Sequence, residues 1–280
     1  MSNVKRKIVS DSSCDLKALS HFPLETASLK IITDTKEYVD DGRLNVLEMV
    51  EDLQKYKGKS STSCPNVEDW LEVFGDAEEV FCVTITGTLS GSYHSACLAR
   101  DSYEEQYPGR RVFVLDSLST GPEMGLLLEK LQELVLTDQS FDEICQSIAR
   151  YSQKTGLLFM LESMKNLANN GRVSPLVAKM AGLLGIRVVG KASDKGDLQP
   201  LNKCRGEKKA LEALIQQLKT LGYGGGKVFV NHCFNESAGQ TLKALLREKF
   251  PTAQIRLSPC RGLCSFYAEK GGLLVGFEKA

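Results

Sequence analysis

Again and again in the first half of this chain, an apolar strand runs into a turn crowded with hydroxyls and a helix follows. Lys7 to Val9 leads into Ser10-Asp11-Ser12-Ser13-Cys14-Asp15, Glu79 to Thr86 into Gly87-Thr88-Leu89-Ser90-Gly91-Ser92, and Arg111 to Asp116 into Ser117-Leu118-Ser119-Thr120-Gly121. A fourth hydroxyl cluster, Ser60 to Ser63, stands before Pro65 and another helix. Strands that alternate with helices make a mostly parallel sheet with helices on its faces. The carboxyl ends of parallel strands share one edge, so the four turns can converge there. Hydroxyls gathered with helix N-terminal amides suit a small anion, either a phosphate or a carboxylate. The same Ser and Thr residues also serve as simple helix caps.

The other segments fit an α/β chain in two parts. Leu24 to Thr33 alternates apolar and polar residues like a strand. Asn45 to Tyr56 has helical spacing, and Asn66 with Asp69 three residues later marks the start of a helix carrying Val67, Trp70, Leu71 and Phe74. Helices are also expected from His94 to Tyr103, through Val135, and from Phe141 to Thr155. Beyond that point Leu157 to Leu161, Ile186 to Gly190, Lys227 to His232, Ala253 to Leu257 and Leu273 to Phe277 read as strands. Ser193 to Asp197 reads as a hairpin-like turn, Glu207 to Leu221 and Ser237 to Phe250 as helices. The expected division lies near residue 155, giving units 1–155 and 156–280, the second with a mixed sheet.

Charge and composition narrow the function. Lys plus Arg and Asp plus Glu number 35 each among 280 residues, a balance that argues against non-specific nucleic-acid binding, which needs a basic face. Neither a signal-peptide pattern nor a run of about 20 apolar residues occurs, and a cytoplasmic chain without a membrane span is expected. The nine cysteines are odd in number and form no CxxC pair, which reads as reduced thiols rather than a disulfide framework. Cys260, Cys264 and a remote His232 make a poor zinc set, so no metal is expected. Catalysis by a nucleophile needs a base; His94 is near Ser90, but Leu89-Ser90-Gly91-Ser92 is not a nucleophile elbow. Asp11 and Asp116 could hold Mg²⁺ beside a phosphate, yet no Walker loop is present. Arg172 and Arg205 are the arginines able to pair with an anion, or with a surface carboxylate.

These blocks, taken in order, resemble the DegV family of bacteria. Asp11-Ser12-Ser13-Cys14-Asp15 is similar to its D-S-x-x-D opening, and Thr62-Ser63-Cys64-Pro65-Asn66 to its T-S-Q-P-S block, with Cys64 in place of Gln. Leu89-Ser90-Gly91-Ser92-Tyr93-His94-Ser95-Ala96 resembles L-S-G-T-Y-Q-S-A, Asp116 to Gly125 resembles D-S-x-x-x-G, and Leu167 onward resembles L-x-x-G-G-R-I-S with Asn170 at the first Gly. The resemblance implies two α/β domains with a lipid tunnel between them and no catalysis by the chain itself. It implies a long-chain fatty acid such as palmitate, stearate or oleate as ligand, no cofactor, and a fatty-acid kinase as a partner that phosphorylates the bound acid. By the same resemblance Thr62 and Ser90 bond the carboxylate, Ser63, Gly91 and Ser92 line the spot, and Arg205, Tyr267, Asp11 and Ser117 form the supporting polar network. Where kinase-serving members carry a His in H-x-G-P-G, this chain has Tyr267, which donates a hydrogen bond but brings no positive charge.

Three readings follow. The first is a fatty-acid carrier. The second is an enzyme acting on a small anionic or phosphorylated metabolite at the same hydroxyl-rich site. The third is a regulator that senses lipid through the second unit. The carrier needs an apolar tunnel, for which Leu176-Val177-Met180-Ala181-Leu183-Leu184 is a candidate wall as well as plain core.

Overall fold

The computed structural model describes residues 4–181 and 184–280. β1 (Arg6–Asp11) is followed by β2 (Leu24–Ala27), β3 (Lys30–Ile32), β4 (Glu37–Val39), α1 (Val46–Lys55), β5 (Ser61–Ser63) and α2 (Val67–Phe74). Then come β6 (Glu79–Thr84), α3 (Ser92–Gln106), β7 (Arg111–Asp116), α4 (Pro122–Val135) and α5 (Phe141–Ser152). The second half runs β8 (Thr155–Leu161), α6 (Lys165–Asn169), α7 (Pro175–Ala178), β9 (Ile186–Ala192), β10 (Leu198–Arg205) and α8 (Glu207–Thr220). It ends with β11 (Lys227–His232), α9 (Glu236–Lys249), β12 (Gln254–Pro259), α10 (Gly262–Ala268) and β13 (Leu273–Glu278).

The strands form three sheets. β2-β1-β6-β7 is parallel throughout, as the strand–turn–helix repeat requires. β10-β9-β8-β13-β11-β12 is mixed, with only the β11–β12 pair parallel. A small antiparallel sheet, β4-β3-β5, stands apart from both. Helix α4 packs against β1 and β6 on one side and against β8, β11 and β13 on the other. Leu126, Leu127, Leu128 and Leu131 are all fully buried, the all-round apolar pattern of an interior helix.

Several local expectations hold in detail. Asn66 and Asp69 form a reciprocal capping box at α2, and Asn45 caps α1. Ser193 to Asp197 turns β9 into β10, with Gly196 at φ +80°. Others are corrected. The segment 24–33 is two strands in two sheets, because the chain breaks at Ser28-Leu29, where the Ser12 hydroxyl accepts from the Leu29 N–H at 3.0 Å. The Ser60 to Ser63 cluster is no turn after a strand; Ser61 to Ser63 is itself an edge strand paired with β3. β4, β10 and α10, unremarked in the sequence, are regular elements. Ser174 caps the short α7.

Candidate functional site

The turns at the carboxyl edge of the parallel sheet are tied to one another. Asp11, at the end of β1, is fully buried; its carboxylate accepts from the Ile85 N–H at 2.9 Å, the Ser92 hydroxyl at 2.6 Å and the Ser13 hydroxyl. Burial raises its pKa, and the bonds from Ser13, Ser92 and Ile85 oppose that rise. Thr86 N–H donates to the Ser119 carbonyl at 2.9 Å, and Gly121 N–H to the Ser13 carbonyl at 2.8 Å. Asp116 accepts from the N–H groups of Gly87 at 3.1 Å and Leu118 at 3.0 Å. Both carboxylates are thus engaged in fixing loop backbone.

Over this edge lies a cavity of about 300 Å³, the size class of small-molecule sites. Its polar end contains Thr62, Ser63 and Cys64 from β5 and the residue after it, Ser90 and Gly91 from the turn before α3, and Tyr267 from α10. The Thr62 and Tyr267 hydroxyls are hydrogen-bonded at 2.7 Å. Burial raises the Tyr267 pKa, while the Thr62 bond and the charge of Arg172 pull it down. Arg172 also borders the cavity, held by its Nε bond to the Leu89 carbonyl at 3.0 Å and by a bond to the Asn170 carbonyl. The wall therefore offers the four hydroxyls of Thr62, Ser63, Ser90 and Tyr267 and one cation, a suitable setting for a carboxylate.

Most of the remainder is apolar, although Thr86, Ser119, Thr120 and Asp197 also border the cavity. Leu157, Phe159 and Leu161 alternate along β8 and turn one face to the cavity. Leu158 and Met160 between them turn to the core on the opposite face of the sheet. Leu198, Leu274 and Leu263 add to this apolar lining. The hairpin tip closes one side: Gly196 lies so close that a Cβ there would fall 2.1 Å from the Thr86 hydroxyl, and the Thr88 hydroxyl donates to the Lys195 carbonyl.

Thr62, Ser63, Ser90, Gly91 and Tyr267 thus all line the same cavity. Ser92, Asp11 and Ser117 stand behind it. Ser92 is buried with its hydroxyl turned to Asp11, and Ser117 accepts from the Ser119 N–H at 3.1 Å. Arg205 is corrected: it is exposed at the foot of β10, seven residues from the cavity-lining Leu198 and so about 23 Å away along an extended strand. Arg172, the other arginine able to pair with an anion, borders the cavity. Of the apolar wall proposed from 176 to 184, Leu176 is 78% exposed, while Val177, Met180 and Ala181 pack in the same apolar cluster as the cavity-lining Leu157, Phe159, Leu161 and Leu274 without lining the cavity themselves. Leu183 lies outside the described residues. The β8 face that does the lining shows in the sequence only as a continuous apolar run, which conceals which residues face which way. His94 is exposed and off the cavity wall. Among the described residues no group of three His, Cys, Asp or Glu side chains could hold a metal ion, and no helix is long and apolar enough to cross a membrane.

Comparison with known proteins matches this architecture. The model of the uncharacterised protein family DegV, COG1307, matches residues 5–280. A DegV domain-containing protein of Streptococcus gordonii is 44% identical over 276 residues, covering 97% of this chain and 98% of its own. A DegV family protein from Eubacterium eligens, solved loaded with heptadecanoic acid, superposes with a TM-score of 0.96 at 43% identity, over 98% of this chain and 100% of the other. The Streptococcus pneumoniae Fatty Acid Kinase (Fak) B3 protein, solved loaded with linoleic acid, gives a TM-score of 0.97 at 43% identity, over 99% of this chain and 100% of the other.

Proposed function

This chain belongs to the DegV family, and from that premise we propose that it binds one long-chain fatty acid in the cavity between its sheets and presents the carboxylate to a fatty-acid kinase. The observation that carries the reading is the cavity itself: a mostly apolar wall that includes Leu157, Phe159 and Leu161 of β8 and Leu274 of β13, bordered by hydroxyls from β5, the turn before α3 and α10. Two relatives of 43% identity were solved with a fatty acid bound, and one of them is a fatty acid kinase protein.

The energetics fit a lipid acid. Burying an acyl chain of palmitate length at about 0.8 kcal/mol per methylene gives roughly 10 kcal/mol of gross transfer energy. A bare buried carboxylate would cost several kcal/mol, which charge-assisted bonds offset. In this reading Thr62, Ser90 and Tyr267 donate to the carboxylate oxygens, and Arg172 supplies the countercharge that a histidine would otherwise provide. Ser63 and Gly91 border the head, while Asp11, Ser92 and Ser117 hold the loops in place.

The chain divides at residue 155 into two α/β units with the ligand between them. It works in the cytoplasm and performs no covalent chemistry of its own. His94, the base a Ser90 nucleophile would need, is exposed and does not line the cavity. The test is extraction of purified protein into organic solvent followed by mass spectrometry, with wild type compared with Thr62→Val/Ser90→Ala. A stoichiometric fatty acid, reduced in the double variant, is the expected result. Protein that comes out clean and fails to take up added palmitate or oleate would overturn it.

A further inference from the structure

The small sheet grips α10 at both ends. β4 runs into Asp40, which is 1% exposed and accepts from the backbone N–H groups of Gly262 at 3.0 Å and Leu263 at 2.9 Å, the first residues of the helix. β5, on the other side of β3, carries Thr62, whose hydroxyl meets Tyr267 on the last turn of the same helix. A rise of about 1.5 Å per residue puts the two holds roughly 7 Å apart along α10. Gly262 makes the first hold possible, because a Cβ there would fall 2.7 Å from the Asp40 carboxyl carbon.

Further contacts brace the Asp40 end. The Arg261 N–H donates to Asp15 at 2.8 Å, and its guanidinium donates to the carbonyls of Leu16 at 2.6 Å and Asp40 at 3.3 Å. Asp15 also accepts from the Asn231 amide at 2.8 Å. Neither Asp40 nor Arg261 touches the cavity, yet α10 contributes Leu263, Cys264, Tyr267 and Ala268 to its wall.

We infer that Asp40 is a positioning residue for carboxylate recognition: by fixing the first turn of α10 against the small sheet, it sets the Tyr267 hydroxyl where it and Thr62 together receive the acid head. The inference rests on the fatty-acid reading above. It separates head from tail, because a hydrogen bond fails when its donor shifts or tilts, whereas apolar burial has no direction to lose.

The experiment measures dissociation constants for palmitate and for hexadecanol, which has the same chain without a carboxylate, in wild type, Asp40→Asn, Tyr267→Phe and the double variant. Asp40→Asn should weaken palmitate about tenfold and leave hexadecanol within about twofold, and the double variant should bind palmitate within about twofold of Tyr267→Phe alone. Equal losses for the two ligands, unchanged palmitate binding, or losses that multiply in the double variant would each overturn the inference. Should Asp40→Asn not fold, Gly262→Ala loosens the same contact from the helix side and is judged by the same criteria. Wild-type protein that binds neither ligand removes the fatty-acid reading itself and this inference with it.

Discussion

The hydroxyls of Thr62 and Tyr267, 205 residues apart in the chain, are hydrogen-bonded at 2.7 Å across the polar end of the cavity. Each has a proton to give, and in their mutual bond only one of the two is used. A carboxylate arriving there would take both. Tyr267→Phe should therefore lower palmitate affinity five- to tenfold, about 1 kcal/mol for one hydrogen bond to a charged group less its compensation. Burial keeps the Tyr267 hydroxyl protonated above its ordinary range. Wild-type affinity at pH 6, 7 and 8 should accordingly show no step from this residue, whereas Tyr267→His should bind more tightly at pH 6 than at pH 8. Titration of ligand fluorescence at the three pH values checks both outcomes.

Two arginines that look alike in the sequence are set apart by the fold. Arg172 borders the cavity, with its guanidinium held by the carbonyls of Leu89 and Asn170. Arg205 is exposed at the opposite end of the β9–β10 hairpin from the tip that meets the cavity. Arg172→Ala should weaken palmitate about tenfold, as loss of a partly desolvated countercharge does, and Arg205→Ala should leave it within about twofold. Isothermal titration of the two variants side by side decides it; equal effects would contradict the assignment.

What the sequence made legible was what is local. A strand followed by a hydroxyl turn and a helix implies its own parallel sheet, and the ends of β1, β6 and β7 accordingly gather Asp11, Ser90 and Ser119 on one edge. Capping at Asn66 was equally plain, since the partners are three residues apart. Long-range pairing was hidden. Ser61 to Ser63 forms a strand only because β3 offers it a free edge, and polar Ser and Thr give no apolar alternation to reveal it. Helix α10 owes its start to Asp15 and Asp40, more than two hundred residues earlier, rather than to a cap of its own. Which face of β8 met the ligand was concealed because both faces are apolar, one serving the core and the other the cavity.

Asp15 links stability to acidity. It is buried, and burial raises its pKa to about 6 from an ordinary 3.8, with Asn231 and the Arg261 N–H opposing the rise. A carboxyl whose pKa is higher in the folded state binds its proton more tightly there, so its contribution is complete below about pH 4 and is lost as pH rises through about 6. At about 1.4 kcal/mol per pKa unit the contribution is at most about 3 kcal/mol. Urea unfolding of wild type and Asp15→Asn at intervals from pH 4 to 7 isolates it. The stability of wild type relative to the variant should fall across that window, and a flat or rising difference would show that Asp15 does not titrate there.

The β8 face forms one apolar wall of the cavity. Leu157, Phe159 and Leu161 project side by side into the cavity, where added side-chain volume displaces ligand methylenes one for one. Replacing Leu157 by Phe conserves apolar character and removes room. Each methylene excluded from the cavity forfeits about 0.8 kcal/mol, close to a fourfold loss of affinity. Leu157→Phe should therefore weaken stearate more than palmitate, and palmitate more than myristate, shifting the preferred ligand toward shorter chains. Competition among the three acids, read by mass spectrometry of the protein-bound fraction, reports the order directly. Uniform weakening of all three would mean that Leu157 touches the chain near its head, where every acid is the same, and preference by length would then have to be sought at Phe159 or Leu161.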